Sequence, residues 1–198
     1  MCPATNFNFM QNVNVYISKN TVNSRAEAFD ICHKQFENAI LSNNFNYDTL
    51  SLHLYAFLAS WGMVCRGNYL SQRDYKALIP VVKIACDKKY RTLLDIDVFS
   101  SRFSTSAYIT LMLDLKNHLA NALFGRKANY ADDTLLSKIA LATLGCVVCY
   151  DTKVKANLKS LGYANLFTKN GLNDLLQFAN NHIGVNGLRC MWLCNGWR

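Results

Sequence analysis

A single carboxylate stands directly before a segment with one strongly basic side. Asp151 is that carboxylate, and the segment after it carries three lysines: Lys153, Lys155 and Lys159. Apolar residues recur at i, i+4 and i+7 from Val154, a spacing typical of an amphipathic helix. Aspartate is a preferred N-cap, so one interpretation is a structural cap beside a solvated lysine face. The other is chemical, because a charged group beside phosphate-binding lysines suits a reaction at a sugar carbon of DNA.

The stretch before Asp151 predicts a buried helix that ends at a glycine. Its apolar residues recur at helical spacing from Leu135 to Leu144, and Gly145 is a typical stop after such a helix. The short connection Cys146–Tyr150 then leads to Asp151. Residues 131–162 therefore predict a helix-turn-helix segment, with Asp151 as the candidate catalytic residue at the start of its second helix.

This segment resembles the catalytic segment of the helix-hairpin-helix DNA glycosylase superfamily. In that family a buried helix ends at a glycine, and an Asp-Thr-(His)-Val motif opens a following helix that often closes on Leu-Gly. The matching residues here are Gly145, Asp151-Thr152-Lys153-Val154 and Leu161-Gly162. The resemblance implies an all-α, DNA-glycosylase-like fold and the excision of bases from DNA.

Two departures narrow what the resemblance implies. The Leu-Pro-Gly-Val-Gly-like hairpin of the family is missing, and Tyr130-Ala131-Asp132-Asp133-Thr134 stands there instead. The Schiff-base lysine position of bifunctional members falls near Thr134, with Lys138 one turn further on. We therefore expect base excision without lyase chemistry. Ala59–Met63 and Gly145–Asp151 also resemble stretches in a family of uncharacterised helical bacterial proteins, which bears on the fold alone.

The resemblance implies a role for each candidate residue. Asp151 would stabilise the cationic sugar that forms as the base departs, and would position or deprotonate the attacking water. Four aromatic residues are the candidates to line the pocket of a flipped-out base: Tyr150, Trp61, Tyr69 and Tyr130. Six cations are the candidates to contact DNA: Lys153, Lys155, Arg126, Lys127, Arg66 and Lys138. An alternative for the glycine-marked turn around Arg66 is a helix C-cap with Trp61 in the core. The base stays open among alkylated, oxidised and phage-type modified bases.

Composition predicts one packed domain with an anionic partner. The chain has 198 residues, 51% of them hydrophobic, with a net charge of +8. Residues 101–198 hold eleven basic and five acidic groups, so nucleic acid is the first candidate partner, before an acidic protein or membrane surface. We expect a single domain over residues 1–198 with a polar segment at 1–23. We also expect a cytoplasmic monomer that binds DNA and no membrane, since no signal peptide or apolar span is visible.

Helical spacing predicts an all-α fold of about eight or nine helices in one globule, which two helical lobes around a cleft would also satisfy. Pro80 predicts either a kinked helix over Gln72–Lys89 or two short helices meeting at Ile79. The pairs Cys146/Cys149 and Cys190/Cys194 have spacings that zinc uses, but their apolar surroundings favour packing. We therefore expect no metal and no cofactor. The alternative to the enzyme is a non-enzymatic helical module that binds nucleic acid or protein.

Overall fold

The computed structural model describes Ser18 and residues 25–94, 104–130 and 132–182, and the described residues form helices without a β-strand. This confirms the all-α prediction. Seven α-helices lie in this part of the chain, slightly fewer than the eight or nine predicted. Their bounds are α1 Arg25–Ser42, α2 Tyr47–Ser60, α3 Ile79–Ala85, α4 Thr105–Phe124, α5 Asp133–Leu144, α6 Thr152–Ser160 and α7 Lys169–His182.

Short 3-10 helices join several of these elements. They cover Tyr69–Gln72, Tyr75–Leu78, Arg91–Leu93 and Gly125–Tyr130. The segment around Pro80 takes the second of its two predicted forms, because a 3-10 helix meets α3 at Ile79 and Pro80 lies in the first turn of α3. A proline is tolerated there because the first turn of a helix leaves its N–H groups without intrahelical partners. The polar segment predicted at 1–23, apart from Ser18, lies outside the described residues.

Local side chains fix where the helices begin and end. Asn46 Oδ1 accepts a hydrogen bond from the Thr49 N–H at 3.1 Å and caps α2. Asp132 Oδ1 caps α5 in the same way through the Thr134 N–H at 2.9 Å. Helix α5 ends at Gly145, whose φ of 62° lies in the left-handed region that favours glycine. The predicted glycine stop is confirmed.

Helix α5 lies at the centre of the described fold. It packs against α1, α2, α3 and α4, and every residue of it from Leu135 to Leu144 is buried. The sequence predicted a buried helix from its apolar face, and the structure covers all of its sides. Its two buried hydroxyls find partners on the same helix, since Ser137 Oγ donates to Thr134 O and Thr143 Oγ1 donates to Ile139 O. Buried hydroxyl groups in proteins are hydrogen-bonded in this way, which avoids the free-energy cost of an unpaired polar group.

No helix in the described part of the chain combines the length and the apolar character that crossing a bilayer would require.

The central position of α5 predicts a large difference between two leucine substitutions. Leu141→Ala removes a fully buried side chain, so we expect the free energy of unfolding to fall by about 2–5 kcal/mol. Leu41→Ala on α1 is the matched control, because Leu41 is 72% exposed, and there we expect a change within about 0.5 kcal/mol. Urea denaturation of both variants measures the two losses. Equal losses would contradict the central burial of α5.

Candidate functional site

The connection between α5 and α6 is buried along its whole length. Residues 145–150 are all buried, and a buried loop has backbone polar groups that must find hydrogen-bond partners. Three hydroxyls supply some of them. Tyr108 donates to Cys146 O at 2.7 Å, Thr134 donates to Tyr150 O at 2.9 Å, and Ser137 accepts from the Tyr150 N–H at 2.9 Å. The connection is therefore fixed to α4 and α5 immediately before Asp151.

Asp151 is the first partly exposed residue after this buried stretch. It is the N-cap of α6, and its Oδ1 accepts a hydrogen bond from the Val154 N–H at 2.8 Å. Its Oδ2 makes no hydrogen bond to any described residue. The cap bond holds the carboxylate at the positive end of the helix dipole, a position that stabilises a negative charge. One carboxylate oxygen thus anchors the side chain while the other remains available to a neighbouring group.

The cysteines of the connection are packing residues in this structure. Cys146 and Cys149 are buried, and the Cys146 thiol donates to Ala140 O at 3.7 Å. The described residues contain no group of three or more side chains that would suit a metal ion. Burial raises the pKa of Cys149 to about 12, while the charge of Lys138 lowers it and the charge of Asp151 raises it. The Cys149 thiol is therefore protonated at neutral pH and is a poor nucleophile. Cys190 and Cys194 lie outside the described residues.

The three lysines of α6 take two different positions. Lys153 and Lys159 are exposed to solvent. Lys155 is partly buried, and its Nζ donates to Thr134 Oγ1 at 3.1 Å. Because Thr134 Oγ1 also donates to Tyr150 O, Lys155 extends the set of bonds that fixes α6 to α5.

Lys138 lies in the interior, where it was not expected. It is 6% exposed, and its Nζ donates to Trp61 O at 2.7 Å and contacts Met63 Sδ at 3.3 Å. The ammonium also lies 5.9 Å from the centre of the Trp61 ring. The predicted contact of Lys138 with a DNA phosphate does not fit this position, because the turn after α2 covers the side chain. Helical spacing places Lys138 among the polar positions of α5 but cannot reveal a segment about 75 residues away that covers it.

The four aromatic candidates do not form one cluster. Trp61 is partly exposed beside Lys138. Tyr150 is fully buried and stacks on Phe167, with ring centres 5.5 Å apart, so in this structure it offers no face to a base. Tyr69 donates its hydroxyl to Leu123 O, and its ring lies under the Arg73 guanidinium. It therefore belongs to the contact with the end of α4. Tyr130 lies in a 3-10 helix, and its side chain is outside the described part.

The remaining predicted DNA contacts lie in two loops. Arg66 is exposed in the turn after α2, and Lys127 is exposed in the 3-10 helix Gly125–Tyr130. The side chain of Arg126, in the same 3-10 helix, lies outside the described part. The C-cap of the alternative is present, since Trp61 is the C-cap of α2 and its N–H bonds to Phe57 O. The Trp61 ring packs against Phe57 but is partly exposed and not in the core.

Several residues that shape the site were missed in the sequence. Thr134 and Ser137 contact the connection from the first turns of α5. The sequence signal for them was the presence of two hydroxyl residues three positions apart in an apolar helix. Asp133 pairs with Lys116 at 2.6 Å and accepts from the Phe167 N–H at 2.9 Å, which fixes the loop that covers Tyr150. No local pattern marks that pair, because its members are on different helices.

These groups allow a limited set of chemical roles. A fixed carboxylate with one unengaged oxygen can stabilise a neighbouring positive charge or accept a proton from water. Exposed lysines on the same helix can neutralise phosphates.

No protein-family model, curated protein or solved structure matches this chain.

The two buried tyrosines beside the connection predict opposite effects of the same substitution. Tyr150 Oη is buried and has no hydrogen-bond partner among the described residues, whereas Tyr108 Oη donates to Cys146 O. Tyr150→Phe removes an unsatisfied group, so we expect an unchanged or higher free energy of unfolding. Tyr108→Phe leaves a buried carbonyl without its donor and should cost about 1–3 kcal/mol. Thermal and urea unfolding of both variants test this, and a comparable loss in Tyr150→Phe would contradict it.

Proposed function

We propose that this protein is a monofunctional DNA glycosylase that hydrolyses the N-glycosidic bond of a damaged or modified base. Asp151 is the catalytic residue in this proposal. The observation that carries it is the fixed position of the Asp151 carboxylate, which emerges from a fully buried connection at the start of a helix with exposed lysines. The resemblance of residues 134–162 to the catalytic segment of helix-hairpin-helix glycosylases adds to this support.

DNA binding in this proposal depends on exposed cations of α6 and of two other segments. Lys153 and Lys159 lie exposed on that helix, and Arg66 and Lys127 lie exposed on loops. Contacts of this kind neutralise phosphates and give affinity without choosing a sequence. The excess of basic groups in residues 101–198 favours the same partner.

Catalysis then uses the carboxylate on a nucleotide that has rotated out of the stack. The C1′–N bond breaks, its electron pair leaves with the base, and the sugar carries positive charge. Asp151 stabilises that charge and accepts a proton from the water that attacks C1′. Trp61 is the aromatic residue best placed to line the base pocket, because it is partly exposed and joined through Lys138 to α5.

Hydrolysis rather than lyase chemistry follows from the lysines near the site. The resemblance places the Schiff-base position near Thr134, whose hydroxyl is bonded to Tyr150 O. The nearest lysine on the same helix, Lys138, directs its ammonium at Trp61 O. Neither group is arranged to attack the sugar, so the attacking group in this proposal is water.

One observation favours the non-enzymatic alternative. The hydrogen bond from the Val154 N–H gives Asp151 a sufficient structural role as an N-cap. In that case the exposed lysines of α6 would serve a binding module for nucleic acid or an acidic protein. The two functions differ in whether the charge of Asp151 is required once its cap bond is preserved.

Asp151→Asn makes that distinction, because asparagine keeps the cap and loses the charge. We expect the single-turnover rate of base excision to fall by about 10²-fold or more while DNA affinity and folding are retained. The measurement uses duplexes that carry uracil, oxidised, alkylated or phage-type modified bases, followed by alkaline cleavage of abasic sites.

Asp132→Asn is the matched control, since Asp132 caps α5 with the same kind of bond and is exposed. It should retain excision. Excision that survives in Asp151→Asn would remove Asp151 from the mechanism. Salt-sensitive DNA binding without excision of any base would support the binding module instead.

The exposed lysines of α6 predict how DNA affinity depends on salt. Each of Lys153→Gln and Lys159→Gln should reduce the slope of log K against log salt concentration by about 0.9 if the lysine contacts a phosphate. Fluorescence anisotropy at several salt concentrations measures the slope. Lys34→Gln on α1 is the control and should leave the slope unchanged. A slope that stays constant in both α6 variants would place the DNA elsewhere.

A further inference from the structure

Lys138 holds a buried positive charge whose contacts are uncharged. Its two polar contacts are the carbonyl oxygen of Trp61 at 2.7 Å and the thioether sulfur of Met63 at 3.3 Å. It forms no salt bridge with any residue that the structure describes. Burying an ammonium without an opposite charge in contact is costly. An uncharged side chain could also fill this position against the turn after α2. The free-energy cost of the buried charge therefore suggests that the ammonium of Lys138 has a further role.

The position of Lys138 relates that charge to the aromatic candidate for the base pocket. Its Nζ lies 5.9 Å from the centre of the partly exposed Trp61 ring, within the range of a cation–π contact. Burial raises the pKa of the Cys149 thiol in the connection before Asp151, and the charge of Lys138 lowers it. Lys138 therefore adjoins the ring on which the base would stack.

We infer that Lys138 makes the site selective for electrically neutral bases over cationic, N-alkylated bases. This inference rests on the proposed glycosylase function and names its substrate class. The residue acts through its charge, as a specificity-determining residue, and does not form a bond to the substrate. The neutral class includes uracil, oxidised purines and uncharged phage-type bases.

The first reason is the effect of the charge on binding. The Lys138 ammonium interacts with the negative potential of the Trp61 π-system. A cationic base stacked on Trp61 would compete for the same potential and would therefore bind less tightly. The ammonium also repels a positive base directly. For unit charges about 9 Å apart at an effective dielectric constant near 20, the repulsion corresponds to roughly a 20-fold loss of affinity.

The second reason is the charge that develops on the departing base. When the C1′–N bond of a neutral nucleoside breaks, the base takes the electron pair and leaves as an anion, which a nearby ammonium stabilises. A cationic base takes the same pair and leaves neutral, so it gains nothing from that charge. Both reasons favour neutral bases, and both disappear when the charge of Lys138 is removed.

The test compares two lesions derived from the same base. Duplexes of one sequence carry 8-oxoguanine, which is neutral, or 7-methylguanine, which is cationic, and a third carries uracil. Single-turnover excision rates are measured for the wild type and for Lys138→Met, which keeps the length of the side chain and loses its charge. We expect the wild type to excise at least one neutral base about tenfold or more faster than 7-methylguanine. In Lys138→Met that ratio should fall by about tenfold or more.

Two further variants separate charge from structure. Lys138→Arg keeps the charge and should keep the preference for neutral bases. Lys159→Met removes an exposed lysine of α6 and should lower both rates in parallel, leaving their ratio unchanged. If Lys138→Met fails to fold, the inactive Asp151→Asn protein, which retains Lys138, is used to compare equilibrium binding of the two guanine lesions.

Each outcome decides the inference. Equal or faster excision of 7-methylguanine by the wild type would overturn the selectivity while leaving the glycosylase function standing. A Lys138→Met protein that folds and keeps the wild-type ratio would show that Lys138 has only a structural role. Equal binding of the two lesions by Asp151→Asn would also contradict the charge selection. Excision of no base on any duplex would overturn the proposed function and this inference together.

Discussion

The continuous burial of residues 135–150 is the constraint on which the rest of the described structure depends. A helix and a loop that are both covered on all sides must satisfy their polar groups without water. Hydroxyls from Tyr108, Thr134 and Ser137 meet backbone groups of the connection. Because these bonds come from α4 and α5, the connection cannot shift without breaking the contact between helices. Burial thus makes the path of the chain before Asp151 nearly invariant.

The fixed backbone before α6 also fixes the position of the Asp151 carboxylate at the start of that helix. A carboxylate on a surface helix usually samples several rotamers, whereas Asp151 is held by its own cap bond and by a fixed backbone before it. Helix α6 itself is mostly exposed, with Leu158 as its one buried residue. The polar bond from Lys155 to Thr134 therefore adds to the little apolar contact that α6 makes. An accurately positioned group on a small exposed helix is the arrangement that catalysis on a large substrate requires.

The lysines show how location changes the meaning of one residue type. Lys153 and Lys159 are solvated, so their contribution to stability is small and their natural role is toward an anion. Lys116 pairs with Asp133 and fixes the loop around Phe167. Lys138 is buried, and no described residue of opposite charge contacts it. Its field therefore extends into the surrounding interior with less screening than that of a surface lysine.

Local sequence determined the all-α class, the stop at Gly145, the cap at Asp151 and the break at Pro80. Each depends on a few neighbouring residues whose backbone preferences act at short range. Only the tertiary structure decided that Lys138 and Tyr150 face inward. Trp61 and Met63 cover the first and Phe167 stacks on the second, and these residues come from other elements. Helical periodicity reports which side of a helix is apolar, but whether a polar side is also covered depends on segments distant in the chain.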